Sequence, residues 1–167
     1  MTDANGERHV SARSIADAVQ LYDCRLALEA LSVMGACENA NASQLQTLEK
    51  YVVEAEMLMQ RQSSEFTSFQ LLNLNYQFHR LIAESSGNKW LVSLLEQVFD
   101  KMLPLQTQIT CHHLKLLNHR VMEIWIEHRQ IYEAIAQGDI ETATQAIKSH
   151  LTRSKARAFQ ALQHLQQ

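Results

Sequence analysis

Hydrophobic residues recur every three or four positions through most of the chain, the spacing that lines one side of an α-helix. Breaks in this pattern predict six helices, at 14–38, 44–62, 65–85, 88–110, 121–137 and 140–165. Pro104 is expected to kink the fourth helix or to end its first part. Only four glycines and one proline occur among the 167 residues, so long helices and short loops are expected. We predict an all-α fold, an antiparallel bundle of six to seven helices in one domain (14–167), preceded by a flexible tail (1–13).

Small and polar residues predict where several of these helices begin and end. Gly87, in the sequence SSGN, is expected to end the third helix in a left-handed conformation. Ser43 and Ser64 are the predicted N-caps of the second and third helices. Gly138 as a C-cap and Asp139 as an N-cap make QGD a tight turn, so the last two helices should be antiparallel neighbours.

Four polar side chains fall on sides of helices that are otherwise apolar. A projection at 100° per residue puts Asn75 and His79 together within the apolar arc of the third helix. The same projection puts His128 inside the arc of the fifth helix and His150 at the edge of the arc of the sixth. His128 and His150 lie at similar distances on either side of the predicted turn at Gly138, so the hairpin should bring them to the same level.

Imidazoles that face a core need partners for their nitrogen atoms. A single inward histidine is more often a hydrogen-bonded core residue than a ligand. Three of them on three helices, with an amide one turn from one of them, can instead share a cation. We therefore interpret Asn75, His79, His128 and His150 as a divalent metal site, for which zinc or nickel suits the nitrogen-rich ligands. The alternative is a pocket without metal, in which the histidines bond to one another through water.

Charge and composition narrow the classes of function. The formal net charge of −3 argues against nucleic-acid binding by the domain as a whole. Three cysteines without a C-x-x-C spacing argue against a disulfide framework or a cysteine zinc site, and they fit a reducing cytoplasm. No apolar run approaches the ~18 residues that a membrane span needs. The first ten residues, MTDANGERHV, lack the apolar core of a signal peptide.

Four segments in order also resemble a known family. They are the pair Arg25-x-x-x-Glu29 and the sequences NYQFHRLIAESSGN (75–88), EHRQIYEAIAQGD (127–139) and AIKSHL (146–151). Together they resemble the FCD domain, the C-terminal effector-binding domain of FadR-type GntR transcriptional regulators. The resemblance covers about residues 14–160 and implies an FCD-like helical bundle.

The resemblance implies a metal and an organic acid as ligands. Metal-binding members carry an Asp, a His four residues later and two His on later helices. The three histidines match His79, His128 and His150, whereas Asn75 stands at the Asp position. Three imidazoles and a neutral amide leave the +2 charge of a metal uncompensated, so an anion is expected as a further ligand. Small organic acids, often carboxylates, are what the family typically binds there.

Arg25 has two interpretations. It lies one helical turn before Glu29, so the two side chains can simply form an ion pair. An arginine near the pocket of such a bundle can also hold a ligand carboxylate through two parallel hydrogen bonds.

Assembly follows from the resemblance rather than from the residues, because family members usually dimerise through this domain. We expect a homodimer, with much apolar surface on the first and fourth helices, including Leu94, Leu95, Val98 and Phe99. Residues 1–13 are too short for the winged-helix domain that reads DNA in full regulators, so that domain is expected to be absent from this sequence.

Two other classes of function stay open. A metal-dependent, hydrolase-like enzyme would need a general base beside the metal, and the helical projections place no Asp or Glu near the inward histidines. A sensor is therefore favoured over an enzyme. The other alternative is a helical module that binds a protein partner without DNA binding. A second histidine cluster, His112, His113 and His119, is interpreted as surface residues.

Overall fold

The computed structural model describes residues 12–60, 64–112 and 117–164, and all regular structure in these ranges is helical. The six helices are α1 (Ala12–Asn39), α2 (Ala42–Met59), α3 (Glu65–Ser85), α4 (Lys89–His112), α5 (Leu117–Ala136) and α6 (Ile140–His164). The predicted all-α bundle is confirmed, and α3 has the predicted bounds at both ends. Most of the predicted tail, residues 1–11, lies outside the described residues.

Antiparallel pairs of helices build the bundle around α1, which packs on α3, α4, α5 and α6. Lys155 in the second half of α6 bonds Asp23 in the first half of α1, while Gly138, before α6, lies beside the carbonyl of Cys37 near the end of α1. These two contacts show that α1 and α6 run in opposite directions. α2 closes the far side by packing on α3 and α5.

The main core lies where α1, α2, α3, α5 and α6 meet. Its large members include Phe78, Trp125, Ile131, Ile147 and Leu151, each at most 1% exposed. Burial of such side chains is the main favourable contribution to folding, at roughly 1.5–3 kcal/mol for each aliphatic or phenyl group. Along the described part of the chain, none of the helices combines the length and the apolar character needed to cross a membrane.

The predicted turns are confirmed by backbone geometry. Gly87 and Gly138 have φ values of 72° and 68°, a left-handed conformation that costs glycine little. Asp139 caps α6, because its Oδ1 accepts a hydrogen bond from the Thr142 amide at 3.0 Å. Ser64 caps α3 in the same way, through a 3.1 Å bond from the Thr67 amide. The turn at Gly138 therefore sets α5 and α6 side by side.

The N-cap predicted for the second helix was wrong. Asn41, not Ser43, caps α2, since its side chain accepts a bond from the Gln44 amide at 2.9 Å. In turn, the backbone N–H of Asn41 donates a hydrogen bond to the side-chain oxygen of Gln44 at 3.0 Å, which completes a capping box. These two bonds satisfy the backbone N–H groups of Asn41 and Gln44, and the helix therefore begins before Ser43.

α4 does not end at Pro104 but continues to His112. Proline removes the amide that would bond the carbonyl four residues earlier, at Asp100. Both Pro104 and Asp100 are exposed, so water can satisfy that carbonyl and the helix can continue.

The apolar face predicted for α4 was only partly correct. Leu95 and Phe99 are 1% and 5% exposed, because they pack with Ala83 inside the subunit. Leu94 is 47% exposed and remains on the surface. The pattern of four apolar residues thus combines an inner face with an outer one.

Candidate metal and ligand site

Three histidines from three helices meet in the centre of the bundle. His79 of α3, His128 of α5 and His150 of α6 are at most 2% exposed. One nitrogen from each ring lies within 4.8 Å of the nitrogens from the other two. The Nε2 atoms of His79 and His128 are 3.2 Å apart. The convergence predicted from the helical projections and the α5–α6 turn is therefore present.

The Nδ1 atom of each ring, which we call the outer nitrogen, has its own oxygen partner. His128 Nδ1 lies 2.6 Å from the carbonyl oxygen of Ile124, one turn earlier on α5. His150 Nδ1 lies 2.7 Å from Glu127 Oε2. His79 Nδ1 lies 2.5 Å from Glu29 Oε2. This contact is an ion-pair contact, because the N–H of the ring does not point straight at the oxygen. An oxygen at Nδ1 favours the tautomer with the proton there, which leaves the Nε2 lone pair available.

Burial keeps these imidazoles neutral. It lowers the pKa of His79, and it lowers the pKa of His128 well below the usual value, with the neighbouring histidines adding to the effect. Burial likewise lowers the pKa of His150, to about 4, although Glu127 opposes the shift. At neutral pH all three rings therefore offer lone pairs, the form in which histidine binds a metal.

The donor set fits a divalent transition metal. Two nitrogens at about 2.0–2.1 Å from one tetrahedral zinc are separated by roughly 3.3–3.4 Å, close to the 3.2 Å between His79 and His128. The three nitrogens together lie within 4.8 Å of one another, so an ion bound to all three would draw the rings closer. Oxygen partners on the outer nitrogens of metal-bound histidines are a regular feature of such sites. Zinc and nickel, which accept imidazole readily, suit this arrangement.

A cavity of about 200 Å³ adjoins the histidines. The side chain of His150 lines this cavity, together with other side chains from α1, α3, α4, α5 and α6. Its walls are mainly apolar, formed by Leu71, Leu72, Ile109, Val121, Ile124 and Trp125. A mainly apolar enclosure with a few polar groups is typical of small-molecule sites.

The structure places the other two predicted site residues at the same cavity. Asn75, half-buried on α3 one turn before His79, lines it, and its role as a metal ligand stays a prediction. Arg25 also lines it and is only 2% exposed. Its Nε donates to Glu29 Oε1 at 2.6 Å, whereas its Nη2 is buried without a partner. Arg25 thus forms the predicted ion pair and keeps one buried donor without a partner, while its role in ligand binding stays a prediction.

The expectation that no carboxylate lies near the histidines was wrong. Glu29 and Glu127 are 2% and 6% exposed and contact His79 and His150. Burial alone raises the pKa of Glu29, but Arg25 and His79 together lower it to about 2. Burial also raises the pKa of Glu127, while hydrogen bonds from His150 and two arginines lower it to about 2. Both side chains are ionised, and both face the outer nitrogens of the rings.

The position of each glutamate in the sequence gave a hint of its role. Glu29 was recognised only as the partner of Arg25, because its contact with His79 joins two different helices. Glu127 directly precedes His128 but bonds His150 of the neighbouring helix. A projection of single helices does not show such contacts. The side chains of the second cluster, His112, His113 and His119, lie outside the described residues.

Residues 20–153 match the model of the FCD domain family, and this match includes all four of the segments quoted above. A relative from Bacillus subtilis strain 168, named as the uncharacterized HTH-type transcriptional regulator YdhC, is 30% identical over 152 residues. The alignment covers 89% of this chain and 62% of the relative. The chain therefore spans about three fifths of the length of that protein.

Two solved structures share the fold. McbR/YncC of E. coli superposes with a TM-score of 0.71 at 21% identity, over 84% of this chain and 63% of that one. The Streptococcus agalactiae GntR superposes with a TM-score of 0.67 at 23% identity, over 88% and 62%. At these identities the likeness concerns the helical fold.

Proposed function

Because the chain belongs to the FCD domain family, we propose that it is the ligand-sensing domain of a GntR-type transcriptional regulator of the FadR subfamily. In this proposal the bundle core holds a divalent metal, and the metal and the adjoining cavity bind a small organic acid. The observation that carries it is the convergence of three neutral, buried imidazoles whose outer nitrogens are already engaged.

His79, His128 and His150 would hold the metal through Nε2, with the amide oxygen of Asn75 as a fourth, weaker ligand. A bound zinc or nickel ion would supply a positive charge and an open coordination position. All four ligands are neutral, so the ion favours an anion as its remaining ligand. Arg25, whose buried Nη2 has no partner, is suited to bind the same anion.

Ligand binding would be transmitted through packing. The cavity is lined by five of the six helices, and a ligand that contacts all of them draws them together. In a full-length regulator such a change alters the position of a DNA-binding domain. This role requires no turnover, and we infer that the protein is not an enzyme. Both glutamates near the site support this inference, since each orients a ring through its outer nitrogen instead of facing the cavity.

Asn75→Asp is expected to strengthen metal binding, and Asn75→Ala to weaken it without abolishing it. A carboxylate adds the negative charge that the neutral ligands lack. Elemental analysis after dialysis against a graded series of chelator concentrations measures both effects. Equal metal retention by the three proteins would exclude Asn75 from the coordination sphere.

We further propose a homodimer formed by α1 and α4. Tyr22 and Met102 belong to one core cluster, and Leu28 packs with Leu95 in another, so the two helices run antiparallel in register. This register sets the exposed apolar residues of α1 beside those of α4. They are Leu31 and Met34 on α1, and Trp90 and Leu94 on α4, exposed by 54%, 40%, 68% and 47%. An apolar surface of this kind is typical of subunit interfaces.

Sedimentation is expected to give twice the 19.1 kDa mass of the chain, and Leu94→Glu to convert the dimer to a monomer. A charge at this position would be buried in the interface without a partner. Ser93→Glu is the control, because Ser93 is also exposed on α4 and its substitution measures the effect of an added negative charge alone. A wild-type monomer at high concentration would refute the dimer but not the metal site.

A further inference from the structure

Two similar chains of contacts connect an arginine, a glutamate and a histidine. In the first, Arg25 Nε donates to Glu29 Oε1 at 2.6 Å and Glu29 Oε2 lies 2.5 Å from His79 Nδ1. The second chain has the same order. Arg157 Nη2 donates to Glu127 Oε2 at 2.9 Å, and that oxygen lies 2.7 Å from His150 Nδ1. Each glutamate thus holds one ring of the histidine cluster and one guanidinium.

Each arginine also keeps one buried N–H group without a partner, Nη2 of Arg25 and Nε of Arg157. A buried donor without an acceptor is costly, by about 1–3 kcal/mol. Both arginines line the cavity beside the histidines. The two unsatisfied donors belong to side chains that line the cavity, so a ligand that binds there and shifts either side chain slightly can supply the missing acceptor.

The charge of the cavity wall points in the same direction. Among the described residues that line the cavity, Arg25 and Arg157 are the only arginines, and none is a lysine, aspartate or glutamate. Glu29 and Glu127 stand behind them and do not line the cavity. Each arginine is already paired with an ionised glutamate, so the two ion pairs add little net charge, but the arginine of each pair lines the cavity and no carboxylate among the described residues does. Together with the +2 charge of a bound metal, this arrangement favours a ligand with two negative charges.

We propose that the ligand is a small dicarboxylate, and that Arg157 together with Arg25 recognises its second acidic group. This inference rests on the proposed function, in which the first carboxylate binds at the histidine centre. Ser154 supplies a further hydroxyl beside Arg157, whose Nη2 lies 3.1 Å from it. Both residues line the cavity. The mainly apolar walls suit the carbon chain between the two acidic groups.

The size of the cavity limits the length of that chain. The volume of about 200 Å³ is more than ten times the ~10–15 Å³ that a single water molecule needs. This room suits an acid of a few carbon atoms. The affinity should therefore pass through a maximum as the diacid lengthens.

The test compares matched acids on the metal-loaded protein. Diacids from malonate to adipate and monocarboxylates with the same numbers of carbon atoms are titrated by calorimetry. At least one diacid is expected to bind about 10- to 100-fold more tightly than its monocarboxylate partner, because each lost bond to a charged group has that effect. Arg157→Gln should remove most of this difference, which is read as the ratio of diacid to monocarboxylate affinity within the same variant, so that any uniform loss passed through Glu127 and His150 cancels. Arg157→Lys, which keeps the charge, should retain part of the difference.

Arg153→Gln is the control, because Arg153 also donates to Glu127, at 3.0 Å, but its side chain is 60% exposed and does not line the cavity. It should leave the preference for diacids intact. Equal binding of diacids and monocarboxylates, or equal effects of the substitutions at Arg153 and Arg157, would overturn the dicarboxylate inference and leave the proposed function standing. If neither kind of acid binds the metal-loaded protein, both proposals fail.

Discussion

Replacing both His128 and His150 with alanine is expected to abolish metal binding, from about one ion per chain to none. The substitution removes two of three imidazole ligands, and the remaining His79 and Asn75 come from a single helix and do not enclose an ion. Protein purified without chelators and incubated with zinc or nickel is dialysed, and its metal content is then measured by elemental analysis. Circular dichroism of the variant verifies that the helices are retained.

His112→Ala serves as the control for this experiment, since it belongs to the second histidine cluster and should leave the metal content unchanged. Two results would refute the site. One is stoichiometric metal in the double variant. The other is a wild-type protein that holds no metal after incubation, which would leave the three histidines as a hydrogen-bonded core cluster.

Glu29→Gln is expected to lower the free energy of unfolding of the metal-free protein by about 3–5 kcal/mol, because it leaves the guanidinium of Arg25 buried without a counter-charge. Arg25 and Glu29 are each only 2% exposed. The aromatic rings of Tyr22 and Phe99, 5.7 and 5.0 Å from the guanidinium carbon, can compensate for only part of that loss. Urea unfolding followed by circular dichroism measures the difference.

Glu56→Gln is the matched control on the surface. Glu56 forms a two-bond ion pair with Arg129, at 2.7 Å for each bond, but the two side chains are 38% and 33% exposed. Its loss should cost about 0–1 kcal/mol, because water replaces the contact. Equal losses for the two variants would mean that water reaches Arg25 when Glu29 is neutral.

Acidification should lower the free energy of unfolding through the buried pair of Arg25 and Glu29. The folded-state pKa of Glu29, about 2, is below the value of about 4.3 for an unfolded chain. The stability that the ionised carboxylate contributes is thus fully present above the unfolded value. It is lost as the pH falls from about 4 towards 2.

Local patterns were sufficient to predict most of the fold. The three-to-four residue spacing located all six helices, because burial of one side is what keeps each helix in the bundle. Gly87 and Gly138 marked turns, since their left-handed conformation is strained in other residues. Ser43 was chosen wrongly as a cap because the choice among nearby Asn and Ser residues depends on the reciprocal bond from Gln44.

The candidate site was predictable where it depends on helix periodicity. His79, His128 and His150 were identified because each interrupts an apolar face. The contacts of Glu29, Glu127 and Arg157 with the site were missed because they join different helices. Contacts of this kind depend on how helices cross and on rotamers, which no single-helix pattern contains.

The packing of Trp125 gives the protein an internal optical probe. Its indole is 1% exposed and stacks on the His128 ring at 4.5 Å between centroids, with an angle of 28° between the planes. It also lines the cavity, so its emission responds directly to a change in the charge or occupancy of the site. Trp90, the second tryptophan, is 68% exposed in the single subunit and belongs to the proposed dimer surface, so its emission follows assembly rather than the core. Occupancy of the core can therefore be followed in real time without a label.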